Sequence, residues 1–389
     1  MSQTQADYTD FAHTGPGTLA GRYLRMFWHP VYRSEDLPVG WAKPIRIMSE
    51  DMTLYRGHGG QPYLVDFRCA HRGTQLSVGW VEEDSIRCMY HGWKYDGSGR
   101  CVEQPAEPRP FCEKVRIKSY PVREYLGLVF AFMGEGEPPE VPRYSMLEGV
   151  DGVREVEVNY RDCNYFNNIE NNLDRIHVGF VHGTLNGRFA GEKEAGTFDG
   201  RTDSPVMRAE ETDWGIRTFV EHPSGLKLNE HMGMPNVQLV PHAIPYDPVA
   251  TSRTFISWKL PVDDEHNVQF LVSAVRLKPE LVEPYKERRA KRLAKWATLD
   301  HRELAKQILA GKLRLEDVDP ETTEIVLLQD DLAQCGQRLI ADHSAERLGQ
   351  SDNPLILIRR LWRRELRALA EGRPLKQWTL RPEQVSVHA

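Results

Sequence analysis

The chain reads as a small all-β domain followed by an α+β domain, and three observations predict this. The first third breaks into short β-type runs separated by Gly, Pro and Asp. A stretch rich in Pro and Glu, Glu135–Arg143, then interrupts the pattern as a boundary or linker. Beyond Asp151, strand-like pieces give way to long segments of helical periodicity.

Taken in order, the expected strands of the first part are Ile45–Met48, Met52–Arg56, Tyr63–Phe67, Ile86–Cys88 and Leu128–Phe132. After the linker come Val153–Val158, Ile216–His222 and Thr254–Leu260. The first long helical pattern, Tyr285–Thr298, carries a basic run from Lys286 to Lys295. Such a run reads as a solvated face, with docking of an acidic partner as the alternative. Thr322–Leu339 follows Asp319-Pro320, a good N-cap and first-turn pair. Asn353-Pro354 opens a last helix with Ile358, Leu361, Trp362, Leu366 and Leu369 at helical spacing, and Gly372 closes it.

At 389 residues the chain suits two domains, and 40% hydrophobic with 27% charged residues excludes a disordered or fibrous protein. A net charge of -6 argues against nucleic-acid binding. The longest strongly apolar run, Leu126–Met133, has eight residues, against the ~20 needed to span a bilayer. Met1–Asp10 is polar and acidic, unlike a signal peptide, so the expected location is cytoplasmic and no membrane partner is expected. Six cysteines form no disulfide framework; Cys101, Cys112, Cys163 and Cys335 read as small buried residues.

The other two cysteines carry chemistry. Cys69-Ala-His71 and Cys88-Met-Tyr-His91 lie in two loops, with sixteen residues between His71 and Cys88 and a glycine beside each pair, Gly73 and Gly92. Two thiolates and two imidazoles bind either a tetrahedral zinc or a [2Fe–2S] cluster in which two His replace two Cys on one iron. Zinc ribbons usually pair like ligands, whereas each loop here pairs one Cys with one His at unequal gaps. Each loop can thus give a thiolate to one iron and an imidazole to the other. The glycines let backbone N–H groups approach the sulfurs, and Trp93 can shield the cluster.

A second constellation follows in Asn164–His182, where Asn171, Asp174 and His177 recur every three residues and His182 comes five later. On a helix a five-residue step turns by ~140°. His177 and His182 can share an ion only if the helix is distorted or ends between them, and Gly179 is the expected place, since π-bulges favour functional sites. Two His with one distant carboxylate form the facial triad of non-haem Fe(II) oxygenases. Asp330 and Asp331 both have apolar helical neighbours, so periodicity alone does not separate them.

The segment Arg68–Cys101 resembles the Rieske signature Cys-x-His-x15–17-Cys-x2-His, and Asn-x2-Asp-x2-His-x4-His about eighty residues downstream resembles the catalytic motif of Rieske non-haem iron oxygenases. The resemblance runs from about Tyr23 to Gly372. The tail, Arg347–Asp352 with Arg359-Arg360, is similar to the phthalate-dioxygenase-like branch of ring hydroxylases and aromatic O-demethylases.

This resemblance implies residues 1–22 as an N-terminal extension, 23–140 as a Rieske β-domain, and 141–389 as a helix-grip (START-like) catalytic domain of antiparallel sheet and helices. It implies Cys69, His71, Cys88 and His91 as ligands of the [2Fe–2S] cluster. It implies His177, His182 and, at the family's Gln-Asp position, Asp330 as ligands of a mononuclear Fe(II), with Asp331 as the alternative. Asn171 and Asp174 are the expected catalytic residues beside them. The family assembles as a homotrimer, in which Asp174 would bridge His177 and the His91 of the next subunit.

The activity so implied is O2-dependent hydroxylation or O-demethylation of a small aromatic substrate, carboxylated or methoxylated, in aromatic catabolism. Electrons would come from NAD(P)H through a separate flavin/iron–sulfur reductase, with or without a ferredoxin, because the chain has no GxGxxG or flavin-binding pattern. Two other readings compete: a Rieske electron carrier without oxygenase activity, and a zinc-binding interaction module. Arg188, Arg201, Arg208 and Arg217 are candidates for pairing with a substrate carboxylate. Met207, Met232, Met234, Val237, Leu239 and Ile256 are candidate pocket walls.

Overall fold

The computed structural model describes residues 7–183, 206–221, 227–243 and 245–381. The chain divides into two units, His13–Arg143 and Tyr144–Ala389 with Met1–Ala12.

The first unit is built from three antiparallel sheets. One has the order Trp28–Arg33, Leu128–Phe132, Val122–Tyr125, and a second the order Ala42–Ile47, Glu50–Arg56, Pro62–Asp66, Ser119–Tyr120. The third runs Trp80–Glu82, Ser85–Arg87, Lys94–Asp96, Cys101–Glu103. All five strands expected in this unit form. Of the four three-residue strands of the third sheet only Ser85–Arg87 matches an expected strand, since three residues show little alternation. Tyr55, Val65, Leu76, Ile86 and Tyr95 are buried in one core cluster together with Cys69 and Cys88.

The second unit holds a seven-stranded antiparallel sheet in the order Gly152–Arg161, Asn267–Arg276, Ser252–Pro261, Val237–Ala243, Lys227–Gly233, Gly215–Glu221, Val206–Glu211. Its register settles which residues share a face. Arg161 pairs with Asn267, and Asn267 with Pro261. Two-residue alternation along Ser252–Pro261 then adds Lys259 and Ser257. Ser257 pairs with Gln238, and Gln238 with Met232, two residues from Glu230.

The helices meet this polar face. Tyr285, on helix Val282–Trp296, donates to Glu155 at 2.8 Å, and the carboxylates of helix Ile325–Cys335 receive Arg161. The opposite face carries Val237, Leu239, Ile256 and Trp258. Tyr144 lies edge-on to Trp258 at 5.5 Å.

Two local expectations change. The helix expected over Thr322–Leu339 forms only over Ile325–Cys335, because Asp319 caps a separate turn, accepting the Glu321 N–H at 2.9 Å. Its N-cap is Glu324, without a side-chain bond. Cys112 and Cys335 are half-buried rather than buried. Cations of the basic helix are paired within the unit, Arg288 with Asp247 at 2.8 Å and Lys295 with Glu321 at 2.8 Å. The last helix, Asn353–Ala370, forms as read, with Gly372 at φ 64°. No described helix is long and apolar enough to cross a membrane.

Candidate metal centres

In the first unit, two loops with matching hydrogen bonds bring Cys69, His71, Cys88 and His91 together. The Gly73 N–H donates to the Cys69 carbonyl at 2.9 Å, and the Gly92 N–H to the Cys88 carbonyl at 3.0 Å. The glycines thus close the loops through carbonyls, while the N–H groups of Tyr90 and His91 are the ones directed at the Cys88 sulfur. Gly92 is required on two counts: its φ is 75°, and a Cβ there would stand 2.8 Å from Pro105 Cγ.

The His71 and His91 rings lie 4.5 Å apart, and Trp93 stacks on His71 at 4.6 Å with an interplanar angle of 7°. Trp93 is buried, as a shield would be. His71 Nδ1 is buried without a hydrogen-bond partner, as a nitrogen awaiting a metal would be. Burial pushes the Cys88 thiol up, and the neighbouring Cys69 adds to this. Two thiols crowded in an apolar pocket gain when a cationic centre takes them as thiolates.

Sequence reasoning missed Tyr95, whose hydroxyl lies 3.2 Å from Cys69 Sγ. Cys69→Ser or His91→Ala is expected to remove the Rieske visible and EPR signals, and survival of the [2Fe–2S] signal would show those ligands to be wrong. Tyr95→Phe is expected to lower the cluster's potential by roughly 40–60 mV, since one net hydrogen bond to sulfur is worth about 1–1.4 kcal/mol. Protein-film voltammetry measures that shift.

In the second unit, helix Tyr165–Leu173 ends at Asp174, which has φ -81° and ψ 111°. Helical geometry resumes at Ile176 and widens into a π turn over Val178–Gly183. Asn171, Asp174 and His177 therefore do not share one continuous helix. The π turn bonds i to i+5, so residues five apart stack. It accomplishes the distortion expected near Gly179: the His177 and His182 rings lie 5.3 Å apart.

Helix Ile325–Cys335 brings the carboxylate. Asp330 Oδ1 lies 3.7 Å from His177 Nε2 and 3.4 Å from His182 Nε2. One donor atom from each of the three lies within 4.8 Å of the others. Each ring is turned by its second nitrogen. His177 Nδ1 bonds to the Asp174 carbonyl at 2.5 Å, and His182 Nδ1 to Gln329 Oε1 at 2.8 Å. Both Nε2 atoms are left to face Asp330, the arrangement by which metal-binding imidazoles are oriented.

Asp330 is also positioned by its neighbours. Asn171 Nδ2 donates to Oδ1 at 3.1 Å, and Arg161 Nη2 to Oδ2 at 3.4 Å. Burial would raise the Asp330 carboxyl, but the His182 hydrogen bond and the Arg161 charge hold it well below the usual carboxylate range. Asp331 is turned the other way, accepting from Arg161 and His301. The Asp174 carboxylate caps the resumed helix, with Oδ1 accepting the Ile176 N–H at 2.8 Å and the His177 N–H at 3.3 Å. Its Oδ2 stands 4.0 Å from His177 Nδ1.

The substrate-contact candidates fare differently. Arg208 and Arg217 lie on the sheet face opposite Arg161, and Arg217 stacks on Phe219 at 4.5 Å. Val237, Leu239 and Ile256 are on that opposite face too, because strand register alternates sides. Met207 and Met232 are on the Arg161 face and Met234 is buried beyond the strand end. Arg188 and Arg201 lie outside the described residues. Sequence reading also missed Arg161, Gln329 and His301, whose partners are too distant in the chain for local spacing to signal.

Comparison with known proteins bears on the first unit directly and on the whole chain through its relatives. Residues 27–121 match the Rieske [2Fe-2S] domain family. The chain is 30% identical over 367 residues to the 5,5'-dehydrodivanillate O-demethylase oxygenase subunit of Sphingobium sp. strain SYK-6, covering 93% of this chain and 80% of that protein. It is 32% identical over 378 residues to the phenoxybenzoate dioxygenase subunit alpha of Ectopseudomonas oleovorans, covering 92% and 84%. The terminal oxygenase of carbazole 1,9a-dioxygenase from Novosphingobium sp. KA1 shares the fold at a TM-score of 0.62 and 21% identity, over 89% of this chain and 95% of that one. With both relatives matched along most of their length, this chain belongs to the Rieske non-haem iron oxygenases, as an O2-incorporating α subunit of the phthalate-dioxygenase-like branch.

Proposed function

We propose that this oxygenase hydroxylates or O-demethylates a carboxylated or methoxylated aromatic compound, with His177, His182 and Asp330 as the ligands of its mononuclear iron. The observation that carries the reading is the convergence of those three side chains from a π turn and a separate helix. A Rieske electron carrier has no use for such a triad, so the convergence weighs against the carrier reading.

The donor set, two imidazole nitrogens and one carboxylate oxygen, suits Fe(II) and leaves coordination positions open. An iron held there supplies O2 activation when it receives electrons. The chain's own residues prepare the site. The Asp174 carbonyl and Gln329 fix the two imidazole tautomers, while Asn171 and Arg161 hold the two oxygens of Asp330. Cys69, His71, Cys88 and His91 are assigned to the cluster. Electrons come from a separate reductase chain, in keeping with relatives named as oxygenase subunits.

The working assembly is a homotrimer in which the cluster of one subunit serves the iron of the next. A substrate screen tests the activity: protein with a surrogate NAD(P)H-dependent reductase, offered aromatic acids and methoxylated aromatics. Formaldehyde release marks demethylation, and a hydroxylated product without formaldehyde marks ring oxidation. Zinc without labile sulfide in the purified protein would overturn the reading.

A further inference from the structure

One buried cation on the metal-facing side of the sheet has no part in the assignment above. Lys259 lies on strand Ser252–Pro261 and is 0% exposed. It shares its sheet face with Arg161, which reaches Asp330, and with Glu230, which Arg175 reaches at 2.9 Å from the segment between Asp174 and His177. Arg161, Asp330 and Glu230 all act electrostatically on Lys259. The lysine therefore lies on the sheet face that Asp330 meets through Arg161, within electrostatic reach of that carboxylate.

Its partners are neutral. Lys259 Nζ donates to Gln238 Oε1 at 2.9 Å and to Ser257 Oγ at 2.6 Å. An ammonium carries three N–H donors, so one is left over. Among the described residues no carboxylate lies within salt-bridge distance of it. Of the carboxylates on and against this face, Glu230 is bonded to Arg175, Glu155 and Glu157 to Arg289, Asp331 to Arg161, and Asp330 to Asn171 and Arg161. A buried cation without an anion is costly, and burial pushes the Lys259 ammonium well below the usual lysine value. The missing component is a negatively charged oxygen. Phenols of ordinary pKa, about 10, do not bring one at neutral pH, whereas carboxylic acids do.

We infer that Lys259 is a specificity-determining residue that receives the carboxylate of an aromatic acid substrate, with Gln238 and Ser257 holding its ammonium in place. This rests on the oxygenase reading of the triad and narrows it to acids.

The test uses the full chain carrying both metal centres. Calorimetric affinities are measured for 3-methoxybenzoate and 3-phenoxybenzoate and for their uncharged methyl esters. The wild type is expected to bind at least one acid more tightly than its ester by about tenfold or more. In Lys259→Met that preference is expected to collapse toward one, with the Rieske spectrum and unfolding temperature retained, and Lys259→Arg is expected to restore part of it. Lys259→Gln replaces the methionine variant if that variant does not fold. Absence of acid preference in the wild type, including failure to bind either acid, overturns the assignment, as does a preference that survives Lys259→Met. Failure of the oxygenase reading looks different: acids bind through Lys259, yet iron-loaded protein with reductase consumes no O2 on any of the four compounds.

Discussion

Asp330→Ala is expected to abolish substrate oxidation, by at least about a thousandfold in turnover, the scale on which removal of a residue central to the chemistry registers. The Rieske spectrum should be unchanged, because the cluster residues belong to the other unit. The adjacent substitution should do something else. Asp331 is 1% exposed and accepts from Arg161 and His301. Its removal leaves Arg161, itself 2% exposed, without its main counter-charge. Breaking a buried pair costs about 3–5 kcal/mol, or a fall of roughly 6–20 °C in unfolding temperature. Asp331→Ala should therefore appear first as lost stability, and Asp330→Ala as lost iron and activity in a folded protein. Iron content, calorimetry and single-turnover product yield separate the two. Full activity in Asp330→Ala, with loss of iron in Asp331→Ala, would reverse the assignment. His177→Ala should behave as Asp330→Ala does.

Much of this site was legible because its chemistry is local in sequence. The Cys-His pairs sit within three residues of each other, and the spacing of His177 and His182 already demanded a distorted helix. The choice between Asp330 and Asp331 rested on resemblance, because helical phase could not make it. The geometry that bears on it involves Arg161 and His301, more than 25 residues away in the chain. Lys259 was invisible for a related reason. In sequence it is one polar residue on an alternating strand, and only the register with Gln238 and the burial around it show a lysine without a carboxylate partner. Arg208 and Arg217, the candidates for a carboxylate among the described residues, lie by strand parity on the face opposite Lys259.

Asp174→Asn is expected to leave both metals bound, yet to slow electron transfer from the reduced cluster to the iron by at least about 10–100-fold, the range for losing a partner of metal-bound imidazoles. The local fold should survive. The present role of Asp174 Oδ1 is to accept the Ile176 and His177 N–H groups, and an amide oxygen caps as well as a carboxylate does. His177 should also keep its orientation, because its Nδ1 bonds to the Asp174 carbonyl, which the substitution retains. What changes is the second oxygen. Oδ2 stands 4.0 Å from His177 Nδ1, on a side chain 35% exposed, and Asn replaces that acceptor with a donor and removes the charge. In the proposed trimer it is the group that would accept from His91 of the next subunit while drawing on His177. A purely structural cap predicts unchanged transfer, since the substitution keeps the cap. Stopped-flow reoxidation of the reduced cluster, with substrate and O2 present, reads the rate directly. Wild-type rates in Asp174→Asn, or a wild-type protein that sediments as a monomer, would remove the bridge and with it the subunit-crossing route.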